Sequence, residues 1–584
     1  NRKGFLHMKK KLLPALIVTG LIILVVIIMG ITALINKYTP TKKTEDLKEY
    51  FNISSDDEAA LIVDNELSDY KAKIIDKKIY VDYKFVHDSL NSRFYWDANE
   101  NVLLYTTASD IISAAADSNS YSVTKQTNDF GYPIVKATSD SALIALDYVK
   151  QYSNITFKSY DDPARIVITS KWDEIDSATV SKSTQVRVKG GIKSPILKEV
   201  KKDDKITILD SGDKWDKVAT EDGVIGYIKR KALSESKKTK LTNPDYEEET
   251  FTHIKKDKDI CLAWNQVTSQ SANSKVPQVI SSTKGINVMS PTWFYLNDNN
   301  GNLADIASKD YVSYCHSQGI EVWGLFSNFE NTDVDAAYVL THTSTRTTLI
   351  NQIMSAAFNY ELDGVNIDFE NITEAAYGDS YIEFIRELAI KCHNNGISLS
   401  VDVTVPASFN KFFNRSDMAN FADYIVIMGY DEHYKGSDAG SVSSIPWVTE
   451  GVESTLKEVP ADQIILGMPF YTRIWELTPK EDDDAVTDTE DQSKYTVASQ
   501  VYSMDAAAAQ LATNNATAAL DEESGQNYAE WSVSNKLYKV WLEDTTSLEK
   551  RLKLVDDNKL AGAAFWKLGF ENSSVWDTVI KYLN

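Results

Sequence analysis

From residue 251 to the end, short apolar runs alternate with amphipathic stretches of helical period. That alternation is the signal of a parallel βα repeat. Eight runs read as strands, starting at Ile260, Ile286, Glu321, Gly364, Ser398, Tyr424, Ile464 and Gly562. Eight βα units over residues 251–584 predict a (β/α)8 TIM barrel with room for insertions. The long interval 476–545, acidic at first (Glu481 to Asp484), predicts a small inserted domain walling the groove.

The pattern changes upstream. Over 183–235, short strands (Val186–Val188, Lys205–Leu209, Trp215–Ala219 and Gly223–Ile228) alternate with turns, as in a small β-barrel. The Trp215, Val218, Asp222-Gly223 and Gly226-Tyr227-Ile228 pattern resembles a bacterial SH3 domain, a resemblance that implies contact with wall peptide or glycan. Trp215 and Tyr227 fit a ligand platform and a small core equally well. Over 61–172, strand, helix and hairpin recur twice, the hairpins at Phe94–Tyr105 and Ile155–Ile168, which predicts an α+β module. It resembles the copper amine oxidase N-terminal-like domain; no copper is implied. A polar stalk, 37–60, precedes it, and a Lys/Ser/Thr/Glu-rich linker, 236–250, leads into the barrel.

The uncharged run Leu12–Asn36 is long enough, at ~1.5 Å rise per residue, to span a ~30 Å hydrocarbon core. Arg2, Lys3, Lys9, Lys10 and Lys11 precede it within 1–11, and acidic residues soon follow it. The positive-inside rule therefore predicts a single-pass cell-membrane protein with a cytoplasmic N-terminus and extracytoplasmic domains. The alternative, a cleaved signal peptide, calls for a shorter apolar region and a small-residue cleavage site.

Charge narrows the partners. With 84 Asp+Glu against 61 Lys+Arg, and five of those bases in the tail, nucleic acid and other polyanions are excluded. Cys261, Cys315 and Cys392 are odd in number and lack disulfide or metal-ligand spacing, so they read as buried apolar residues. No metal or cofactor is called for.

In a TIM barrel, polar residues finishing an apolar strand at its C-terminal end are the candidates for chemistry. The fourth strand finishes with Asn366, Asp368 and Glu370, spaced by two and so on one face of the strand. Carboxyls packed that closely raise one another's pKa, which suits a general acid. Asp363-Gly-Val-Asn-Ile-Asp-Phe-Glu370 resembles the DxxDxDxE signature of glycoside hydrolase family 18, the chitinase-like barrels. Met428-Gly-Tyr-Asp431, Gly467-Met-Pro-Phe-Tyr471 and Gly562-Ala-Ala-Phe-Trp566 match that family's sixth, seventh and eighth strands in order.

The resemblance implies a retaining, substrate-assisted glycosidase. Glu370 would protonate the leaving oxygen while the substrate's 2-acetamido oxygen attacks the anomeric carbon. Asp368 would orient the acetamido group, Tyr430 would bond its oxygen, and Trp566 would stack under the sugar. Asp431 would hold substrate or the Asp368 region, and Asp363, Asn366, Trp264 and Tyr471 complete the expected substrate-binding set. Further aromatics (Trp293, Trp323, Trp475) and Asn328, Glu330 and His433 are weaker mouth candidates.

One departure stands out: the family's middle Asp is Asn366 here. An amide cannot share a proton as a carboxyl does, but it can donate to Asp368, which predicts a changed pH profile rather than lost activity. The same Asn marks, by resemblance, the family's spore-germination and peptidoglycan branch. The reading is a membrane-anchored hydrolase of N-acetylglucosamine-containing wall glycan, peptidoglycan or chitin-like. The alternative is a non-catalytic, lectin-like wall protein on the same barrel.

Overall fold

The computed structural model describes residues 2–372, 377–480 and 491–583. The acidic stretch Glu481–Asp484 falls outside them. The chain divides into two compact units, Asn1–Ser92 with Ile134–Glu248, and Arg93–Pro133 with Glu249–Asn584.

The first unit opens with the helix Arg2–Tyr38, of which Pro14–Tyr38 is long and apolar enough to cross a membrane. Two seven-stranded sheets follow. One runs in the order Thr156–Tyr160, Arg165–Thr169, Glu58–Val63, Glu66–Ile75, Lys78–Asp82, Ala142–Ala145, Val135–Ala137. The short helices Tyr83–Ser89 and Leu146–Gln151 bury Phe85, Val86, Leu146, Tyr148 and Val149. The other sheet is antiparallel and contains the four strands expected in 183–235, joined at one edge by Glu174–Thr179 and Lys237–Lys240. Trp215 and Tyr227 are both half-buried there.

The α+β module read over 61–172 is not continuous in space. Arg93–Pro133 leaves it to form a five-stranded antiparallel meander in the second unit. Its docking is polar as well as apolar. Thr106 Oγ1 donates to Glu383 at 2.8 Å, Tyr95 and Ser380 hydroxyls meet at 3.0 Å, and Asp97 Oδ2 accepts from Thr343 N and Oγ1, each at 2.6 Å. Asp97 thereby satisfies an otherwise orphaned N–H at the start of the helix Thr343–Tyr360. Hairpin periodicity shows that these strands form, but not which surface they cover.

The barrel of the second unit has eight parallel strands: β1 (Ile260–Asn265), β2 (Val288–Leu296), β3 (Glu321–Ser327), β4 (Gly364–Asp368), β5 (Ser398–Thr404), β6 (Tyr424–Met428), β7 (Ile464–Pro469) and β8 (Gly562–Trp566). They pair in sequence and close through β8 on β1. Period-two alternation sorts their side chains. Val365, Ile367, Leu399, Val401 and Val403 pack outward under the helices, each burial stabilising by about 1.5–3 kcal/mol. Trp264, Trp323, Leu325, Tyr424 and Val426 fill the interior. Gly364 opens β4 because a Cβ there would lie 2.5 Å from the Trp323 ring.

Between β7 and β8 the described residues form a second five-stranded antiparallel sheet, from Tyr471–Pro479 to Lys536–Leu542, with the helix Met504–Thr513 packed on it and the helix Thr545–Asp557 after it. At its base the buried Arg551 guanidinium meets Glu543 at 2.6 and 2.9 Å. All three cysteines are free and buried, and burial pushes the Cys261 and Cys315 thiols up to about 12.

Candidate active site

A cavity of about 530 Å3 opens at the C-terminal end of the barrel strands, lined by Asp368, Glu370, Asp402, Tyr430, Asp431 and Trp566 among others. It lies where βα loops of a TIM barrel gather. The lining comes from the barrel's own strands and loops; no residue of the inserted sheet contributes to it. The expectation that the insertion walls this cavity is therefore not met among the described residues.

Asn366 lies deepest, with no exposed surface. Its Oδ1 accepts from Trp264 Nε1 and from Ser290 Oγ, both at 2.9 Å, and its Nδ2 donates to Ser400 Oγ at 3.0 Å and Asp402 Oδ1 at 2.7 Å. The indole can only donate, which fixes which way the amide faces. All four hydrogen-bonding positions of the amide are occupied, so the expected bond from Asn366 to Asp368 does not form. The amide turns sideways, to β5, where Asp402 Oδ1 accepts its N–H.

One residue pair up β4, Asp368 is 6% exposed, and its Oδ1 is buried with no hydrogen-bond partner among the described residues. Desolvation, then the neighbouring Asp402, Glu370 and Glu330, hold its carboxyl well above the usual range. Glu370, just past the strand, is exposed because its side chain opens into the cavity. Protein still surrounds it closely enough that desolvation, followed by Asp431 and Glu330, raises its pKa. The backbone after it is held by Asn328, whose Oδ1 accepts from Asn371 N at 3.1 Å. Glu330 accepts from Ser327 Oγ through both oxygens at 2.7 Å.

Opposite stand the aromatics. Tyr430 is half-buried after β6, with its phenol pushed up by desolvation and then by Asp368, Asp402 and Glu370. Trp566 is half-buried at the end of β8. Its ring and that of Tyr430 both meet Trp264 edge to face, at 6.1 and 6.5 Å between centroids. Asp431 adopts a left-handed backbone (φ 60°) and accepts a hydrogen bond from the Tyr471 hydroxyl. Tyr471 meets the site through Asp431 and through its ring, which packs edge to face on Tyr430 at 6.2 Å between centroids.

Several expected site residues lie elsewhere. Asp363 sits at the opposite end of β4, where it accepts from Val322 N at 2.8 Å and meets His316 Nε2 at 2.7 Å. It ties strand ends together and cannot contact a ligand in the cavity. Trp264, by contrast, does line the cavity, although it is only 1% exposed, and its Nε1 donates to Asn366. Trp293, Trp323 and Trp475 are buried, with their indole N–H groups bonded to Asn273, Glu321 and Gly440. His433 bonds Ser441 O at 2.8 Å within its own loop. Asp402 and the exposed Phe329 line the cavity and carried no motif. Asp402 did carry a signal: Ser398, Ser400, Asp402 and Thr404 alternate at period two with the apolar Leu399, Val401 and Val403, and Asp402 is the one carboxyl on that polar face.

Residues 320–571 match the family model Glycosyl hydrolases family 18. The chain is similar to the uncharacterized glycosylase YvbX of Bacillus subtilis, 24% identical over 302 residues, which covers 49% of this chain and 81% of that one. It is also similar to the cortical fragment-lytic enzyme of the same organism, 24% identical over 287 residues, covering 47% and 63% of the two chains. Among solved structures, the spore cortex-lytic enzyme SleL of Bacillus megaterium is 19% identical with a TM-score of 0.48, over 59% of this chain and 77% of that one.

Proposed function

We propose that this protein, a glycoside hydrolase of chitinase-like type by its family 18 domain, cleaves N-acetylglucosamine-containing glycan of the cell wall by a retaining, substrate-assisted mechanism. The carrying observation is the placement of two acids with raised pKa on one strand end. Glu370 faces the cavity, and Asp368 lies behind it in a buried, donor-poor position. A carboxyl kept protonated toward neutral pH at the rim of a cavity is suited to protonating a leaving oxygen.

The remaining parts fit that chemistry. Asp368 would accept from a substrate acetamido N–H. Tyr430, which lines the cavity, would donate to the acetamido oxygen as it bonds the anomeric carbon. The half-exposed face of Trp566 matches the C–H face of a pyranose. Peptidoglycan is the favoured substrate because two of the relatives bear names of cortical and cortex-lytic enzymes. The apolar helix supports tethering at the membrane with the barrel outside, and the small barrel within 183–235, SH3-like by its sequence pattern, would add wall contact.

The test is to incubate the full chain, in detergent, with peptidoglycan and with N-acetylglucosamine oligomers before and after chemical removal of the acetyl groups. Release of new reducing ends from the acetylated substrates alone supports the reading. Equal cleavage after deacetylation contradicts substrate assistance, and binding without cleavage makes the barrel a lectin.

A further inference from the structure

The register of β4 on β5 pairs Asn366 with Ser400 and Ile367 with Val401. The next position on each strand brings Asp368 beside Asp402, on the interior face of neighbouring strands that run about 5 Å apart. Asp402 is 4% exposed, accepts from Asn366 Nδ2 at 2.7 Å, and lines the same cavity as Asp368 and Glu370. Asp368 Oδ1, meanwhile, is buried without a donor among the described residues. Two buried carboxyls side by side, one bonded by an amide and the other short of a donor, are stable with one proton between them and costly with none.

We propose that Asp402 is a positioning residue of this site: it holds, from the neighbouring strand, the proton that an amide at position 366 cannot hold, and donates it as a hydrogen bond to Asp368. This rests on the glycosidase reading above. With the proton on Asp402, Asp368 keeps a single, directed negative charge for the substrate's acetamido group. The Asn366 amide selects this arrangement by taking up the other Asp402 oxygen. The groups facing the pair are acids and phenols: Glu370 from the end of β4, Tyr430 from the end of β6, and Tyr381 from the helix Gly378–His393. Glu330, beyond β3, stands behind Asp368. The Tyr381 hydroxyl is also buried without a partner among the described residues, and its phenol is pushed up by desolvation and then by Asp402 and Asp368. Burial is the first cause raising Asp402 itself, and Glu370 adds to it.

The test compares Asp402→Asn with Asp402→Ala in the full chain in detergent. Asparagine mimics the protonated acid, offering its oxygen to Asn366 and its N–H to Asp368; alanine offers neither. Asp402→Asn should keep kcat within about threefold below pH 6 and shift the alkaline limb of its pH profile upward by about one pH unit or more. Asp402→Ala should lose kcat by about 30-fold or more, with KM nearly unchanged. A readout independent of turnover is the melting temperature of the second unit against pH. A carboxyl whose folded pKa is raised stabilises the fold below its unfolded pKa, near 4, and loses that as pH rises toward the folded value. The fall in melting temperature between pH 5 and 8 should therefore shrink by roughly 3 °C in Asp402→Asn. An Asp402→Ala variant with parental kcat overturns the proposal. So do equal losses in both variants with the pH profile and the melting slope unmoved. If the parent cleaves no glycan, the glycosidase reading fails, and the melting slope still decides whether the pair shares a proton.

Discussion

The amide at 366 is the point where this barrel departs most from the pattern that it resembles, and its replacement by aspartate makes a quantitative prediction. In Asn366→Asp, one carboxylate oxygen keeps the bonds from Trp264 Nε1 and Ser290 Oγ, and the other can still accept from Ser400. Toward Asp402 the 2.7 Å amide contact becomes a meeting of two carboxyls, which can persist only with a proton between them. Holding that proton at pH 7, about three units above an ordinary aspartate pKa, costs about 4 kcal/mol at 1.36 kcal/mol per unit, and close to nothing at pH 4. The sign follows from linkage: the folded pKa is raised, so the stability is present below the unfolded pKa and lost as pH rises. Thermal melts of parent and variant should coincide within about 2 °C at pH 4.5 and differ by roughly 5–10 °C at pH 7.5. Adding Asp402→Asn to the variant exchanges the amide and the acid, and should recover most of that difference. Equal destabilisation at both pH values would refute the proton-sharing geometry, because simple mispacking has no pH dependence.

Other consequences are accessible to simple measurements. Trp566→Ala should raise KM about tenfold or more on glycan substrates while lowering the melting temperature by only a few degrees, since its ring packs on Trp264 but is half-exposed at the end of β8. Arg551→Ala should destabilise the barrel by about 3–5 kcal/mol, because it strands the buried Glu543 carboxylate that the guanidinium now meets at 2.6 and 2.9 Å; denaturant titration reads this. Glu370 is protonated and active below its raised pKa, so once Asp402→Asn has removed the limb set by the shared proton, kcat should hold at acid pH and fall as pH rises through the Glu370 value. In that background Asp431→Asn should move the limb downward, because Asp431 is the leading charge that raises Glu370.

How much of this was legible in the sequence varied with how local the determining interaction is. The eight strands were, because each carries its own apolar alternation and closing a barrel needs nothing more specific. The inward direction of Asn366 and Asp368 was also legible, since spacing by two in a strand fixes the face. What Asn366 bonds was not: its amide turns to Asp402, more than 30 positions along the chain, and that choice depends on the β4–β5 register. Asp363 looked like a site residue because it opens the motif, but it stands before Gly364 at the strand's starting end, a barrel length from the chemistry. Trp293, Trp323 and Trp475 misled for a physical reason: an indole fits a sugar platform and a protein interior equally well until burial is known. The Arg93–Pro133 meander read as part of its sequence neighbourhood because hairpins are local, whereas the helices that it covers begin more than 200 residues later.

The central claim, that Glu370 is the proton donor of a glycosidase, is tested most directly by Glu370→Gln. The exchange keeps the side chain's shape and its exposure to the cavity while removing the proton. Parent and variant, as full chains in detergent, would be incubated with peptidoglycan at pH 5 and the released ends analysed by mass spectrometry, with glycan binding measured in parallel. New reducing ends are expected from the parent, with a loss of at least about 100-fold in the variant and glycan binding retained by both. A variant that cuts as fast as the parent would contradict the claim.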